Sequence, residues 1–353
     1  MKFFTVGPVE MYPDTLQVGK NQIPYFRNQS FSNMMFELDN NLKYVLNMCK
    51  FDKNIFLTTS GTGAMEATIL NCLNQQDKVL IISGGSFGER FEQLCKIYNI
   101  PFDVLRIPYG MKFEESMFEN YQDKAYTALL VNIHETSIGQ LYPIKILSDF
   151  CKKYNLMFIV DGISSVFADE INFCEYEIDA LIFSSHKALA LPPGISIVSL
   201  SERMCRKINT KPLSMYFDFN LYIKNGLRGQ TPFTPSIGIL MQMNDMIKKI
   251  KEEGIENKVF TTRQLAEDFR NKMKEVSFKI PLYPLSNAMT PVLFDSDAKI
   301  YYQKLIDEYD ITVNPCGGEL TDKMLRVGHM GNLTIEDNDT LVKAFCNIRG
   351  EIC

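Results

Sequence analysis

Lys187 lies in the run Phe183-Ser184-Ser185-His186-Lys187-Ala188, directly after the stretch Asp179-Ala180-Leu181-Ile182-Phe183. Asp161 stands 26 positions earlier, at the end of Leu156-Met157-Phe158-Ile159-Val160. Both apolar runs read as buried strands, so an amine and a carboxylate are delivered to the ends of two strands. In an open α/β sheet that edge is where ligands bind. An amine there can form an imine with an aldehyde, and a carboxylate can keep a pyridine nitrogen protonated so that the ring accepts electrons. Each residue also has a plainer reading, a solvated lysine and a capping aspartate. The apolar residues on both sides of Ser-Ser-His-Lys make that run a poor place for a purely solubilising charge.

Further groups fall at other strand ends. Ser60-Gly61-Thr62-Gly63 separates a strand expected over Asn54 to Thr58 from a helix expected to begin near Ala64. A turn of that kind presents free N–H groups and hydroxyls at a helix N-terminus, where a phosphate is favoured, although it can equally be a glycine-rich connection of no special purpose. Phe87, among Gly84, Gly85 and Gly88, could stack on a pyridine face or serve as a core aromatic at a helix start. His134-Glu135-Thr136-Ser137 follows the strand expected to end at Asn132, so a hydroxyl there could meet a ring oxygen, while His134 itself reads as structural. An amine, an acid, a phosphate cradle and a stacking ring together point to pyridoxal 5′-phosphate (PLP).

The elements that must position these groups are legible as alternation. Expected strands are Asn54 to Thr58, Lys78 to Ile82, Phe102 to Ile107, Ala128 to Asn132, Met157 to Val160, Ala180 to Phe183 and Ile195 to Leu200. Expected helices over Ala64 to Leu73, Phe87 to Tyr98 and Ile144 to Tyr154 lie between them. That alternation describes an α/β fold with a mainly parallel sheet. Pro192-Pro193-Gly194 turns the chain before the last strand, which can therefore run antiparallel, and a long helix is expected from Ser236 to Glu252. The expected organisation is an N-terminal segment (1–13), a large cofactor-binding domain (14–255) and a smaller α+β C-terminal domain (256–353).

With 46% hydrophobic and 22% charged residues, the 353-residue chain has the composition of an ordinary globular protein. A net charge of −5 with no basic stripe gives no reason to expect nucleic acid. No apolar stretch is long enough to span a bilayer, and the start is too short in apolar length for a signal peptide. Nine cysteines lack metal-ligand spacing, so no metal site is expected. Cys72, Cys95 and Cys151 sit on apolar helix faces, which suits reduced thiols in a cytoplasmic protein.

Read in order, the chain resembles the class V aminotransferases of PLP fold type I, in the alanine/serine–glyoxylate and 2-aminoethylphosphonate–pyruvate branch. The resemblance runs from Gly7-Pro8-Val9-Glu10 through Ser60-Gly61-Thr62-Gly63-Ala64-Met65-Glu66-Ala67, His134-Glu135-Thr136-Ser137-Ile138-Gly139, Asp161-Gly162-Ile163-Ser164-Ser165 and Ser184-Ser185-His186-Lys187 to Leu325-Arg326-Val327-Gly328-His329-Met330-Gly331. It implies that Lys187 is the Schiff-base lysine and proton shuttle, and that Asp161 is the partner of the pyridine nitrogen. Ile163 is then the apolar residue under the ring, Phe87 the stacking aromatic and Thr136 the hydroxyl beside the ring oxygen. Ser60, Gly61 and Thr62 form the phosphate loop, and His186 is an additional contact. Arg326 matches the arginine that clamps a substrate α-carboxylate, a task suited to a planar bidentate donor. A homodimer is implied too, because relatives complete the phosphate site from a neighbouring Thr-Pro segment, here carrying Thr231 and Thr234.

The activity implied is transfer of an amino group from a small amino acid or aminoalkyl donor to a 2-oxo acid such as pyruvate or glyoxylate. A lyase of the cysteine desulfurase type is the alternative, with Cys316 as its mobile nucleophile. Arg27 lies in a region near the substrate mouth in relatives. It could read a second acidic group or be a surface ion-pair partner.

Overall fold

The computed structural model describes residues 1–122 and 124–350. The chain opens with a short strand, β1 (Lys2–Phe3), and two helices, α1 (Pro13–Gly19) and α2 (Gln29–Val45). An alternating region follows: β2 (Lys53–Leu57), α3 (Gly61–Cys72), β3 (Val79–Ser83), α4 (Gly88–Ile97), β4 (Phe102–Arg106), β5 (Ala128–Asn132), the hairpin strands β6 (His134–Glu135) and β7 (Gln140–Leu141), and α5 (Ile144–Tyr154). It closes with β8 (Met157–Asp161), β9 (Ala180–Ser184) and β10 (Ser196–Leu200).

Seven of these strands form one sheet in the order β2-β10-β9-β8-β5-β3-β4. Only β10 runs against its neighbours, as the Pro-Pro-Gly turn suggests, and Gly194 takes the positive φ (+139°) that the reversal needs. Val79–Ser83, Ala128–Asn132 and Ala180–Ser184 are buried along their whole length. Strands covered on both faces need unbroken apolar runs rather than alternation, which is why their sequences read as they do. Helices supply the cover, and Cys72, Cys95 and Cys151 are buried in it as expected.

The fold's consequence for chemistry lies in where these strands end. β2, β3, β5, β8 and β9 all point the same way, and they release the chain toward Ser60, Phe87, Thr136, Asp161 and Lys187 respectively. Five sequence-distant segments therefore meet at one sheet edge.

After β10 come α6 (Glu202–Lys207), α7 (Phe219–Gly226), α8 (Ile237–Glu253) and α9 (Ile255–Glu275). The long helix expected from Ser236 to Glu252 is α8. A second sheet then forms from β11 (Met289–Leu293), followed by α10 (Ala298–Tyr309), β12 (Ile311–Thr312), β13 (Asn314–Pro315), β14 (Met324–Gly328) and α11 (Ile335–Arg349). β14 lies between β11 and β13, antiparallel to both, and β12 pairs instead with β1. Phe4, Phe269, Leu325, Val327, Leu341 and Phe345 share one buried cluster here. Thr334 and Asp337 close α11 with reciprocal side-chain bonds to backbone N–H groups, typically a stabilisation of about 1 kcal/mol. Among the described residues no helix is long and apolar enough to cross a membrane.

Candidate active site

Lys187 is buried, and its Nζ donates to the Val6 carbonyl at 2.6 Å. Burial, reinforced by the nearby Arg326 cation and opposed by Asp161, pushes its pKa down to about 8. The amine is therefore largely available as a free base in mildly alkaline solution. Val6 belongs to a strap that crosses from the second sheet: the Phe4 N–H donates to Thr312 O, Gly328 N–H donates to Phe4 O, and Val6 N–H donates to Asn314 Oδ1 at 2.6 Å. Gly7 follows with φ of +129°, and a Cβ there would stand 2.6 Å from Lys187 Cδ and 2.8 Å from Nζ. Gly7→Ala is thus expected to displace the lysine. Its rate of capturing PLP, followed by stopped-flow absorbance on the cofactor-free protein, should fall roughly ten- to hundredfold.

Asp161 ends β8 beside Asn132, its register partner at the end of β5. The carboxylate is fully enclosed, with Oδ2 accepting from Asn132 Nδ2 at 2.7 Å and Oδ1 from Ile163 N–H at 3.0 Å. Burial raises its pKa to about 6 despite those two bonds. Ile163 packs over the phosphate turn, since a Cβ on Gly61 would come within 2.5 Å of its Cδ1.

The helix α3 begins at Gly61 rather than near Ala64, because Ser60 serves as its N-cap and accepts from Gly63 N–H. Its first-turn N–H groups and the exposed Thr62 hydroxyl open at the sheet edge. Arg90 ties this turn to Phe87: its guanidinium covers the Phe87 ring at 4.4 Å and donates to Thr62 Oγ1 at 3.0 Å. The buried Glu135 carboxylate fixes the other side of Phe87 by accepting the N–H groups of Phe87 and Gly88.

Thr136 is buried, with its hydroxyl 2.6 Å from Ser164 Oγ. His134 bonds the Ser164 carbonyl through Nδ1, and burial lowers its pKa to about 3, so it stays neutral, as a structural histidine would. His186 is half-buried, with its pKa lowered to about 4 by burial and by the adjacent Lys187. Arg326 reaches the same edge from β14, donating to Thr136 O at 3.1 Å and Pro315 O at 2.8 Å. Its Nε is buried without a partner, and no carboxylate among the described residues pairs with it.

Of the remaining expected groups, Arg27 and Thr231 share a separate network, with Thr234 on the same segment, and Cys316 lies beside Arg326. Arg27 forms no ion pair among the described residues. Instead, its guanidinium donates to Gln230 Oε1, Thr231 O and Pro232 O and rests on the Phe26 ring. Thr231 is buried with its hydroxyl donating to Phe233 O at 2.7 Å, whereas Thr234 is exposed. Cys316 is buried, with its thiol turned toward Ser137 O and its pKa raised by burial.

The family model described as aminotransferase class-V matches residues 20–335. The chain belongs to the class-V aminotransferase family. An uncharacterized aminotransferase of Methanocaldococcus jannaschii is 30% identical over 334 residues, 92% of this chain and 86% of its own. An L-aspartate–glyoxylate aminotransferase of Paracoccus denitrificans is 27% identical, with 87% of this chain and 81% of that one aligned. The crystal structure of an alanine–glyoxylate aminotransferase from Nostoc sp. superposes with a TM-score of 0.90 at 25% identity, over 99% of this chain and 96% of that one. This aminotransferase therefore has PLP fold type I, depends on PLP, and exchanges an amino group between an amino donor and a 2-oxo acid.

The residues fit that cofactor. Asp161 is an enclosed acid with two hydrogen-bond donors and no ion pair among the described residues, the environment a pyridinium N–H completes. The first turn of α3 offers N–H groups to a phosphate. The missing Cβ atoms of Gly61 and Gly7 let Ile163 and Lys187 pack directly against the backbone at this edge.

The sequence reading did not find Asn132, Arg90, Asn314 or the contact of Val6 with Lys187. Asn132 alone left a trace, as a polar residue closing an otherwise apolar strand.

Proposed function

We propose that Lys187 carries the covalent and proton-transfer steps, that Asp161 holds the pyridine nitrogen, and that Arg326 receives the α-carboxylate of both substrates. The observation behind this reading is that one buried amine, its pKa lowered by burial and by Arg326, faces an enclosed acid and an arginine with no carboxylate partner. When bound, PLP supplies an aldehyde that takes up the amino group and a ring that delocalises the charge left at the substrate's Cα. Lys187 Nζ moves the proton between that Cα and the cofactor's C4′ carbon. Asp161 keeps the ring nitrogen protonated. Ser60, Gly61, Thr62 and His186 would hold the phosphate end, Phe87 and Ile163 would pack against the ring, and Thr136 would meet its oxygen. Arg27 acts at a distance by bracing the segment that carries Thr231 and Thr234.

That segment supports the assembly we infer, a homodimer in which Thr234 completes the partner's phosphate site. Phe36, Tyr222, Ile223, Leu227, Gln230 and Thr231 line one open cleft, and Phe36 and Leu227 are exposed. The neighbouring Tyr216 ring, also exposed, stacks on Phe233 at 5.2 Å. An apolar patch rimmed by polar groups is the mark of a protein interface. We take residues 14–255 as the large domain and 256–353 as the small one, its last three residues outside those described. Residues 1–13 form the strap that joins them. The cytoplasm is the compartment we assign.

We assign a small amino acid as donor and pyruvate or glyoxylate as acceptor. Relatives named for aspartate–glyoxylate and alanine–glyoxylate exchange support this, as does a single carboxylate clamp. The desulfurase-type lyase is less well supported, because a thiol as enclosed as Cys316 resists forming the thiolate that such chemistry needs. A half-reaction screen tests the reading: alanine, serine, aspartate and aminoethylphosphonate are added singly to the PLP form and the visible band is followed. At least one α-amino acid should convert it to the pyridoxamine form, and Arg326→Gln should lower kcat/KM for that donor roughly hundredfold. No conversion with any of the four would overturn the donor class.

A further inference from the structure

Cys49 and Cys174, 125 residues apart in sequence, approach to 2.9 Å between sulfurs. Cys49 sits on the exposed turn after α2, and Cys174 is half-buried in the loop that leads to β9. Both loops are pinned to each other on either side of the pair. The Phe173 N–H donates to Leu46 O at 3.1 Å, and Asn47 Nδ2 donates to Asn172 Oδ1 at 2.9 Å. The close approach is therefore built into the fold and is not a chance encounter of mobile side chains.

Asp52 lies near enough to suggest a metal site with the two thiols. Its carboxylate is already engaged, however: Oδ2 accepts from Cys49 N–H at 2.7 Å and Oδ1 from Glu202 N–H at 2.9 Å. Two thiolates on a tetrahedral zinc ion, each about 2.3 Å from it, stand nearly 4 Å apart. Sulfurs at 2.9 Å are instead already well inside that spacing, on the way to a bonded pair.

We propose that Cys49 and Cys174 form a thiol–disulfide exchange site that accepts a reversible cross-link from a low-molecular-weight disulfide. The exposed Cys49 thiolate attacks one sulfur of the small disulfide, forming a mixed disulfide and releasing one small thiol. Cys174, having lost its proton to solvent, attacks the Cys49 sulfur and expels the second small thiol. Two protein thiols are oxidised by two electrons, and one small disulfide is reduced to two thiols. The order of attack follows from exposure, and burial, which raises the Cys174 thiol pKa to about 12, is consistent with Cys49 reacting first.

The test uses the reduced, PLP-loaded enzyme incubated with glutathione disulfide, then alkylated, digested and mapped without reductant. A Cys49–Cys174 linked peptide is expected, with loss of two titratable thiols per chain. A rise of roughly 3–6 °C in Tm should accompany it and be reversed by dithiothreitol. Cys174→Ser should stop at a glutathionyl group on Cys49, and Cys49→Ser should leave Cys174 unmodified. Absence of the linked peptide would overturn the proposal, as would equal modification of Cys174 in Cys49→Ser. So would a stoichiometric zinc ion in the isolated enzyme that Cys49→Ser abolishes, since the pair would then be a metal site.

Discussion

Lys187→Ala should lower turnover on the order of 10⁴-fold and remove the visible absorbance of the lysine-bound cofactor. The structure gives two separate reasons. The amine is the buried group at this sheet edge whose pKa, about 8, leaves a useful fraction unprotonated near neutrality. It is also held in place by a carbonyl from a different part of the chain, Val6 O, and by the absence of a Cβ on Gly7. Residual turnover should come from free amines in the buffer, so added methylamine should restore part of it. Retained visible absorbance in the variant would sink the assignment.

The same residue carries a stability prediction with the opposite sign. A lysine whose folded pKa falls from 10.5 to about 8 is held against its preference for charge, and the folded state bears that penalty at neutral pH. The penalty is full below the folded pKa and disappears as pH rises through 8 toward 10.5. Lys187→Met, of similar shape without the charge, should therefore stabilise the cofactor-free protein by up to about 3 kcal/mol at pH 7. That difference should shrink by pH 10 in urea titrations. A variant equally destabilised at both pH values would show that the amine contributes packing rather than strain.

Much of this site was legible in the sequence because parallel sheets are built from unbroken apolar runs, and the residues that come after those runs all emerge at one edge. Lys187, Asp161, Thr136 and the phosphate turn were readable for that reason. The start of α3 is hard to read because glycines depress helix propensity, while the cap that starts the helix is a single serine. The contacts that stayed hidden depend on register or on long-range approach. Val6 meets Lys187 from 181 residues away, and Asn132 meets Asp161 only because β5 and β8 pair in that register. Arg90 lies one helical turn after Phe87, a spacing that fits a stacked cation but equally fits an ordinary helix surface. At Thr231 the hydroxyl that the sequence singles out donates within its own turn, to Phe233 O.

Asp161→Asn should cost the enzyme roughly 10³-fold in kcat while making its cofactor-free form more stable at neutral pH. The activity loss follows from charge: an amide cannot hold a pyridine nitrogen in its protonated state, so the ring no longer withdraws electrons from Cα. The stability gain follows from burial. Asp161 has its pKa raised from 3.8 to about 6, so its folded-state penalty is absent below pH 3.8, grows as pH rises from there toward 6, and is full above it. Removing the charge should recover on the order of 2–3 kcal/mol at pH 7.5 and almost nothing at pH 4. Asp169, with its pKa also raised to about 6, titrates in the same window but is present in both proteins and cancels in the comparison. A flip of the Asn132 side chain presents its Oδ1 to the new NH₂ group but moves its own NH₂ to the buried position where Oδ1 has no partner, a cost that subtracts from the gain. Urea titrations of both cofactor-free proteins at pH 4 and 7.5 decide the matter. With PLP bound the order should reverse, because the wild-type carboxylate then has its cation. A variant less stable than wild type at both pH values without cofactor would mean that the two hydrogen bonds to Asp161 outweigh the cost of enclosing its charge.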